Sequence, residues 1–326
     1  MNIALSFVFL IVSLHPIQIQ SFVFSTKNRR LRCKGNSLNL FYDTANSPEV
    51  REQIANDPSM NRISPAVIDS LKRNPNLPFD FHHGHSKCKK DIRVRFIEKK
   101  DLNAVVQLCL REYGSYPVSN TFRGDPISSW IKDKMNDFDN FLFSFVVLLG
   151  LGQRVERREQ SNTDTSIPQD HNVICISELD IDGNERIFGM AEISLQIPDP
   201  SKTSPPFVIP PMLKKVLGYQ KPYISNVLIT NEFRGNGYSK VLIAVCEGIA
   251  TQWGFDEVYL HVDANSSGTA AQNLYISNGY RPVINEQYNR KFEWMGIESI
   301  NRGLYIVDGV ALLFLKKSLS SSSNST

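Results

Sequence analysis

A chain of 326 residues with 41% hydrophobic and 21% charged residues can bury a core and reads as an ordinary globular protein of one or two domains. The net charge of +3 is small for this length and comes largely from an early basic cluster, so nothing in it calls for a nucleic-acid partner. Five dispersed cysteines, Cys33, Cys88, Cys109, Cys175 and Cys246, include no CxxC pair, which argues against a zinc knuckle or a disulfide scaffold and for a reducing compartment.

The N-terminus carries an apolar run from Ile3 to Leu14, the length of a signal-peptide core, so residues 1–21 are read as a signal-peptide-like segment. From Phe22 the chain continues as FVFSTKNRRLRCKGNSLNLFYD, basic and without an acidic residue before Asp43, so residues 22–45 have the composition of an organelle transit peptide. The two together resemble the bipartite presequence of complex plastids and imply a plastid address, with secretion or an endomembrane location as the alternative. Residues 46–90, rich in Asn, Ser and Pro, are expected to be a linker with at most short helices. His82, His83, His85 and Cys88 invite a metal reading, but a polar segment without a second ligand cluster does not preorganise four ligands, so no metal is expected.

From Asp91 the pattern sharpens into one folded unit, residues 91–318. IRVRFI alternates as a half-buried strand does, and LNAVVQLCLREYG has helical spacing. The stretch from Trp130 ends in an apolar run and predicts a buried helix, with QRVERREQSNTDTSIPQDHN as a surface loop or frayed end. Two β-rich runs flank Asp182-Gly183-Asn184, a hairpin signature. After a proline-rich excursion from Pro198 to Pro211 comes the strand YISNVLI, then a glycine turn, an amphipathic helix to Gly254, the strand FDEVYLHV, a short helix ending at Gly279, and two more strands in YRPV and GVALLFLKKSL. Residues 319–326, mostly serine, are expected to be a disordered tail. The order predicts an α/β fold with a mixed sheet in a single domain.

The turn NEFRGNGYSKVL joins a strand to a helix, which is a ready anion site because the first helical N–H groups lack intrahelical partners and the helix dipole adds partial positive charge. It fits neither the P-loop, which needs Gly-Lys-Ser/Thr, nor the dinucleotide fingerprint, which needs a third glycine where Lys240 stands. Arg234-Gly235-Asn236-Gly237-Tyr238-Ser239 instead resembles the acetyl-CoA loop of the GCN5-related N-acetyltransferase (GNAT) superfamily, Arg/Gln-x-x-Gly-x-Gly/Ala, with Ser239 as the departure. A second family motif, Leu-Tyr followed four residues later by Gly-aromatic, matches Leu274-Tyr275 and Gly279-Tyr280, and CEGIATQWGFDEVYLHV resembles the cyanobacterial and plastid branch.

The resemblance implies a mixed, mostly antiparallel sheet splayed around a central acetyl-CoA site and flanked by helices. It implies that the loop from Arg234 to Ser239 holds the pyrophosphate, that the backbone of Val227, Leu228 and Ile229 pairs with the pantetheine arm, and that Tyr275 acts as acid toward the leaving thiolate. The family often places an Asn seven residues before that tyrosine; Gly268 stands there, and Asn265 is the candidate to supply the contact from a shifted position. For the base, Tyr223 and His261 occupy the places where some protein N-terminal acetyltransferases hold a water with a Tyr and a His. Glu192 is a second candidate base, or else a surface carboxylate. The implied activity is acetyl transfer from acetyl-CoA to protein or peptide amines, at the N-terminus or on lysine, with no metal, no nucleic acid and no membrane once the presequence is gone. A small-molecule amine acetyltransferase and a non-catalytic acyl-CoA binder are the alternatives.

Overall fold

A computed structural model describes residues 63–83, 90–113, 126–165, 167–180, 182–208, 219–264, 268–284, 303–307 and 309–319. The signal-like and transit-like segments, Asn265 and the terminal serines lie outside the described residues.

The elements run α1 (Pro65–Arg73), β1 (Phe79–His83), β2 (Lys90–Phe96), α2 (Leu102–Tyr113), α3 (Pro126–Thr163), β3 (His171–Leu179), β4 (Glu185–Gln196), β5 (Lys221–Ile229), α4 (Tyr238–Gln252), β6 (Glu257–Asp263), α5 (Thr269–Ser277), β7 (Arg281–Pro282), β8 (Leu304–Val307) and β9 (Val310–Ser318). The strands form one sheet in the order β1-β2-β3-β4-β5-β6-β9-β7, with β8 on β9. Every pairing is antiparallel except β5 with β6, so the expected mixed, mostly antiparallel α/β sheet is what the chain forms.

Alternation along the strands divides the side chains between two faces. One face carries the main core: Ile174 and Ile176 of β3, Ala191 and Ile193 of β4, and Val258 and Leu260 of β6 pack under α4, whose residues from Val241 to Ala250 are all buried. The opposite face holds two smaller clusters. Val173, Cys175 and Met190 sit beneath α2 and α3, and Tyr223, Tyr259, Tyr305 and Phe314 lie toward the β8 end. Between those clusters the face is polar, and the candidate site lies there.

Three expectations are corrected. Part of the stretch expected to be linker is built into the domain, because α1 packs on α4 with Leu71 fully buried and β1 adds an edge strand to β2. The run from Gln153 continues α3 to Thr163 instead of forming a loop. That helix is also less enclosed than its apolar run suggested: Val147, Leu151 and Val155 are buried, but Phe138, Phe141 and Phe145 are exposed. By length and composition Asn136–Thr163 could cross a bilayer, yet here it lies along α2 and β3 with Arg154 in the core. The expected hairpin forms, with Gly183 at φ 78° and the Asn184 amide donating to Asp180 Oδ1 at 2.7 Å.

Candidate active site

The sheet opens where the parallel pair begins. β5 pairs with β6 only at Tyr223↔Tyr259 and Ile224↔Leu260, whereas β4 accompanies β5 as far as Ile229. From Ser225 onward the β6-facing edge of β5 is therefore free to accept an added strand. A bulge enforces this splay. Met190 faces Leu228 and Glu192 faces Ser225, so β5 spends one residue more than β4, and Asn226 absorbs it in the left-handed region at φ 52°. Asparagine is among the few residues that tolerate that conformation.

Val227, Leu228 and Ile229 lie on this open stretch, with the side chains of Leu228 and Ile229 in the two cores. The opening is also where polar atoms are left over. Ser225 Oγ, Asn226 Oδ1, Thr230 Oγ1 and Asn273 Oδ1 are buried without a hydrogen-bond partner among the described residues. Orphaned buried oxygens of this kind are acceptors left for a polar ligand or ordered water. Ser225 and Thr230, at the start of the free strand edge and just past its end, fit the amide-bearing arm of coenzyme A.

At the end of β5 the glycine turn leads into α4. Gly237 caps the helix at φ 85°, no side chain caps the first turn, and Gly235, at φ 75°, has open space where a Cβ would stand. The N–H groups that open α4 have no intrahelical partner by position and can face an anion. Arg234 braces the turn: its Nε donates to Ile229 O at 2.9 Å and its Nη2 to Glu112 Oε2 at 2.6 Å. Asn236 likewise folds back, donating to Phe233 O at 3.1 Å. Tyr238, placed among the cofactor contacts by the loop pattern, has its ring buried against Phe188 and His83, which leaves only its backbone to face a ligand. Ser239 is half-buried in the first helical turn.

Gly268 explains its departure from the family pattern. A Cβ there would stand 2.2 Å from the Asp263 carbonyl oxygen, so no asparagine fits.

Tyr275 comes from α5 and is 7% exposed. Tyr280 packs edge-on against it at 5.5 Å and is itself fixed by donating to Glu247 Oε1 at 3.0 Å. Burial raises the Tyr275 phenol above its ordinary pKa, and its hydroxyl lies within electrostatic range of Tyr223 and Tyr113.

Tyr223 and His261 meet directly: the phenolic oxygen is 2.7 Å from His261 Nδ1, and His261 Nε2 is 3.0 Å from the Pro200 carbonyl. A carbonyl only accepts, so Nε2 carries the proton, Nδ1 is the acceptor, and Tyr223 donates to it. Burial pushes the imidazole down to about 4 and the phenol up, so both are neutral near pH 7. Glu192 is neither on the surface nor free. It is fully buried, its Oε1 ion-paired with Arg154 Nε, and its Oε2 accepts from Asn226 Nδ2 at 2.9 Å. Arg154 further donates to the carbonyls of Pro206 and Pro205, each at 2.8 Å, and so ties α3 and the proline-rich loop to β4.

Arg154, Asn226 and Pro200 were missed in the sequence. Only Arg154 left a signal, a charge on the same helical stripe as Val147 and Leu151. Among the described residues no group of three or more His, Cys, Asp or Glu is set to hold a metal; His82 pairs with Asp91, and His83 packs on Tyr238.

Parts of the chain are similar to known proteins. Residues 147–280 match the family model described as Acetyltransferase (GNAT) family. The chain is 39% identical over 61 residues to GCN5-related N-acetyltransferase 4, chloroplastic, of Arabidopsis thaliana, covering 19% of this chain and 20% of that protein. It is 32% identical over 62 residues to GCN5-related N-acetyltransferase 7, chloroplastic, of the same plant, covering 19% and 22%. The matches thus span about a fifth of these relatives. Among solved structures, the PaiA N-acetyltransferase of Thermoplasma acidophilum in complex with coenzyme A aligns over 70% of this chain and 98% of its own, at 14% identity and a TM-score of 0.36. Over residues 147–280, from the middle of α3 to Tyr280, the chain is similar to the acetyltransferase (GNAT) family.

Proposed function

We propose that this protein transfers acetyl from acetyl-CoA to α-amines of protein or peptide N-termini, by direct attack in a ternary complex. The observation that carries the reading is the Tyr223–His261 pair, a neutral, enclosed proton acceptor beside the opening in the sheet. Acetyl-CoA supplies an acetyl thioester. The N–H groups of the turn from Arg234 to Ser239 hold its pyrophosphate at the α4 N-terminus, and the free edge of β5 at Val227, Leu228 and Ile229 receives the pantetheine arm.

The incoming nitrogen must be neutral to attack. An α-amine, with a pKa of about 8, is partly neutral at physiological pH, whereas lysine near 10.4 needs roughly 3 kcal/mol more. A histidine held down to about 4 cannot strip an ammonium ion efficiently, which disfavours lysine. Once the nitrogen has bonded to the carbonyl carbon it becomes strongly acidic. Its proton then passes to the Tyr223 oxygen while Tyr223 hands its own to His261 Nδ1. This direct contact replaces the water bridge implied by the resemblance. Tyr275 donates a hydrogen bond to the departing sulfur, and its raised pKa keeps it protonated until the thiolate forms. Glu192, held by Arg154 and Asn226, positions the bulge and takes no proton.

The chloroplastic names of the two relatives and the composition of residues 1–45 together support a plastid location. Residues 1–45 fused to a fluorescent protein should enter a plastid, and export would refute that address. The activity is tested with acetyl-CoA and peptides whose α-amine is free or blocked, with lysine-containing and small-amine controls. Transfer only to free α-amines is expected. Transfer to lysine or a polyamine alone would overturn the acceptor, and tight CoA binding without transfer to any amine would overturn the enzyme.

A further inference from the structure

We propose that Asn226 Oδ1 is the second acceptor for the incoming amine, so that Asn226 selects primary over N-substituted amines; this rests on the acetyltransferase reading above. Three observations converge on it. First, the orientation of the amide is forced. Glu192 is fully buried and already ion-paired with Arg154, so its Oε2 can only accept, and Asn226 must offer it Nδ2. The oxygen is thereby the end turned away from Glu192. Second, that oxygen is buried and has no partner among the described residues, so it is a hydrogen-bond acceptor left for a donor from a ligand or an ordered water.

Third, the bulge changes which way the side chain projects. In a regular strand residues an odd number of positions apart, as Tyr223 is from both Asn226 and Leu228, point to opposite faces. Here the extra residue in β5 shifts the alternation, so Tyr223 and Leu228 both belong to clusters on the face opposite α4, and Asn226 reaches Glu192 on that same face. Asn226 therefore shares a face with Tyr223 and His261. The pantetheine arm, lying along the strand edge, pairs in the plane of the sheet. A donor that meets Asn226 Oδ1 from outside that plane comes from the acceptor side.

A neutral primary amine has two N–H bonds and one lone pair. With one N–H on the Tyr223 oxygen and the other on Asn226 Oδ1, the lone pair is turned toward the thioester carbon. An N-methylated amine has one N–H left and cannot satisfy both.

The test uses the full chain, acetyl-CoA and a peptide with a free α-amine or the same peptide N-methylated. Wild-type protein is expected to prefer the primary amine by at least about tenfold, the worth of one hydrogen bond to an otherwise unpaired buried group. Asn226→Gly keeps the positive φ while deleting the amide. It should raise the KM of the primary amine by about tenfold, leave the CoA dissociation constant within about twofold, and collapse the preference toward unity. Unchanged acceptor KM, or loss of CoA affinity in step with it, would overturn the assignment. Should the variant not fold, equal use of the two amines by wild type would overturn it as well. If wild type acetylates no amine at all, the acetyltransferase reading itself falls. Normal turnover with an indifferent Asn226 sinks only this inference.

Discussion

The two halves of the proposed site, one for the acetyl donor and one for the acceptor amine, are built from different materials. The donor half, from the free edge of β5 through the glycine turn to the first turn of α4, presents backbone N–H groups, and the side chains of Arg234, Asn236 and Tyr238 fold back to brace it. The acceptor half is made of side chains from distant parts of the chain: Arg154 of α3, Glu192 of β4, Tyr223 and Asn226 of β5 and His261 of β6. Backbone sites tolerate exchange of side chains but not of φ, whereas side-chain sites fail one residue at a time. Substitutions in the two halves should accordingly leave different signatures in cofactor affinity and in turnover.

The largest effect is expected at the junction of the halves. Tyr275→Phe should lower kcat by roughly 10²- to 10⁴-fold, the span of a single positioned proton donor, with CoA affinity nearly unchanged. Equal losses in both would make Tyr275 a packing residue.

In the acceptor half, Arg154→Ala leaves Glu192 buried and unpaired. It should cost about 3–5 kcal/mol in chemical denaturation, whereas replacing both partners by apolar residues should restore most of that. A small effect of the single change would mean the pair is not enclosed as described.

His261 contributes to the pH response of stability, as does His171, whose pKa burial also lowers. The folded pKa of His261, about 4, lies below the ordinary value of 6.5, so the unfolded chain binds the proton more readily. Stability tied to this group is fully present above about pH 6.5, falls as pH drops toward 4, and is level below that, a loss of at most about 3 kcal/mol. His261→Gln should flatten that part of the stability curve; an unaltered slope would assign it elsewhere. For the reaction, kcat/KM should rise toward pH 8 with the ionisation of the acceptor amine, without an inflection near 6.5.

The smallest effect belongs to the donor half. Gly237→Ala forces a Cβ into the left-handed region and to within 3.0 Å of Ile63 Cγ1, costing about 1–2 kcal/mol in folding and weakening CoA, while the turnover of cofactor-saturated enzyme stays near wild type.

This contrast also explains what could be read in advance. The donor half was legible because a turn needing positive φ shows itself as Gly235 and Gly237, and the Leu274-Tyr275 pair stands at a fixed place after it. The strands, the hairpin at Gly183 and the helix from Tyr238 followed from periodicity, which local spacing reports. The acceptor half was only partly legible. Tyr223 and His261 were named, but their direct contact arises from the register Tyr223↔Tyr259 between strands separated by a whole helix. The burial of Glu192 depends on an arginine 38 residues away on α3, which no local pattern announces. The bulge at Asn226 is invisible in YISNVLI, because asparagine sits in strands and turns alike. The ordered α1 and β1 were hidden by a polar, proline-rich composition; their stability comes from packing on α4 and pairing with β2.

The central claim, that the acceptor half supplies the base and the donor half holds the cofactor, is tested most directly by Tyr223→Phe, assayed for CoA affinity and for acetyl transfer to a free α-amine across pH. The account predicts unchanged CoA affinity and a fall in kcat/KM of about 10²-fold or more at every pH. Wild-type turnover, or a loss of cofactor binding that accounts for the whole effect, would contradict it.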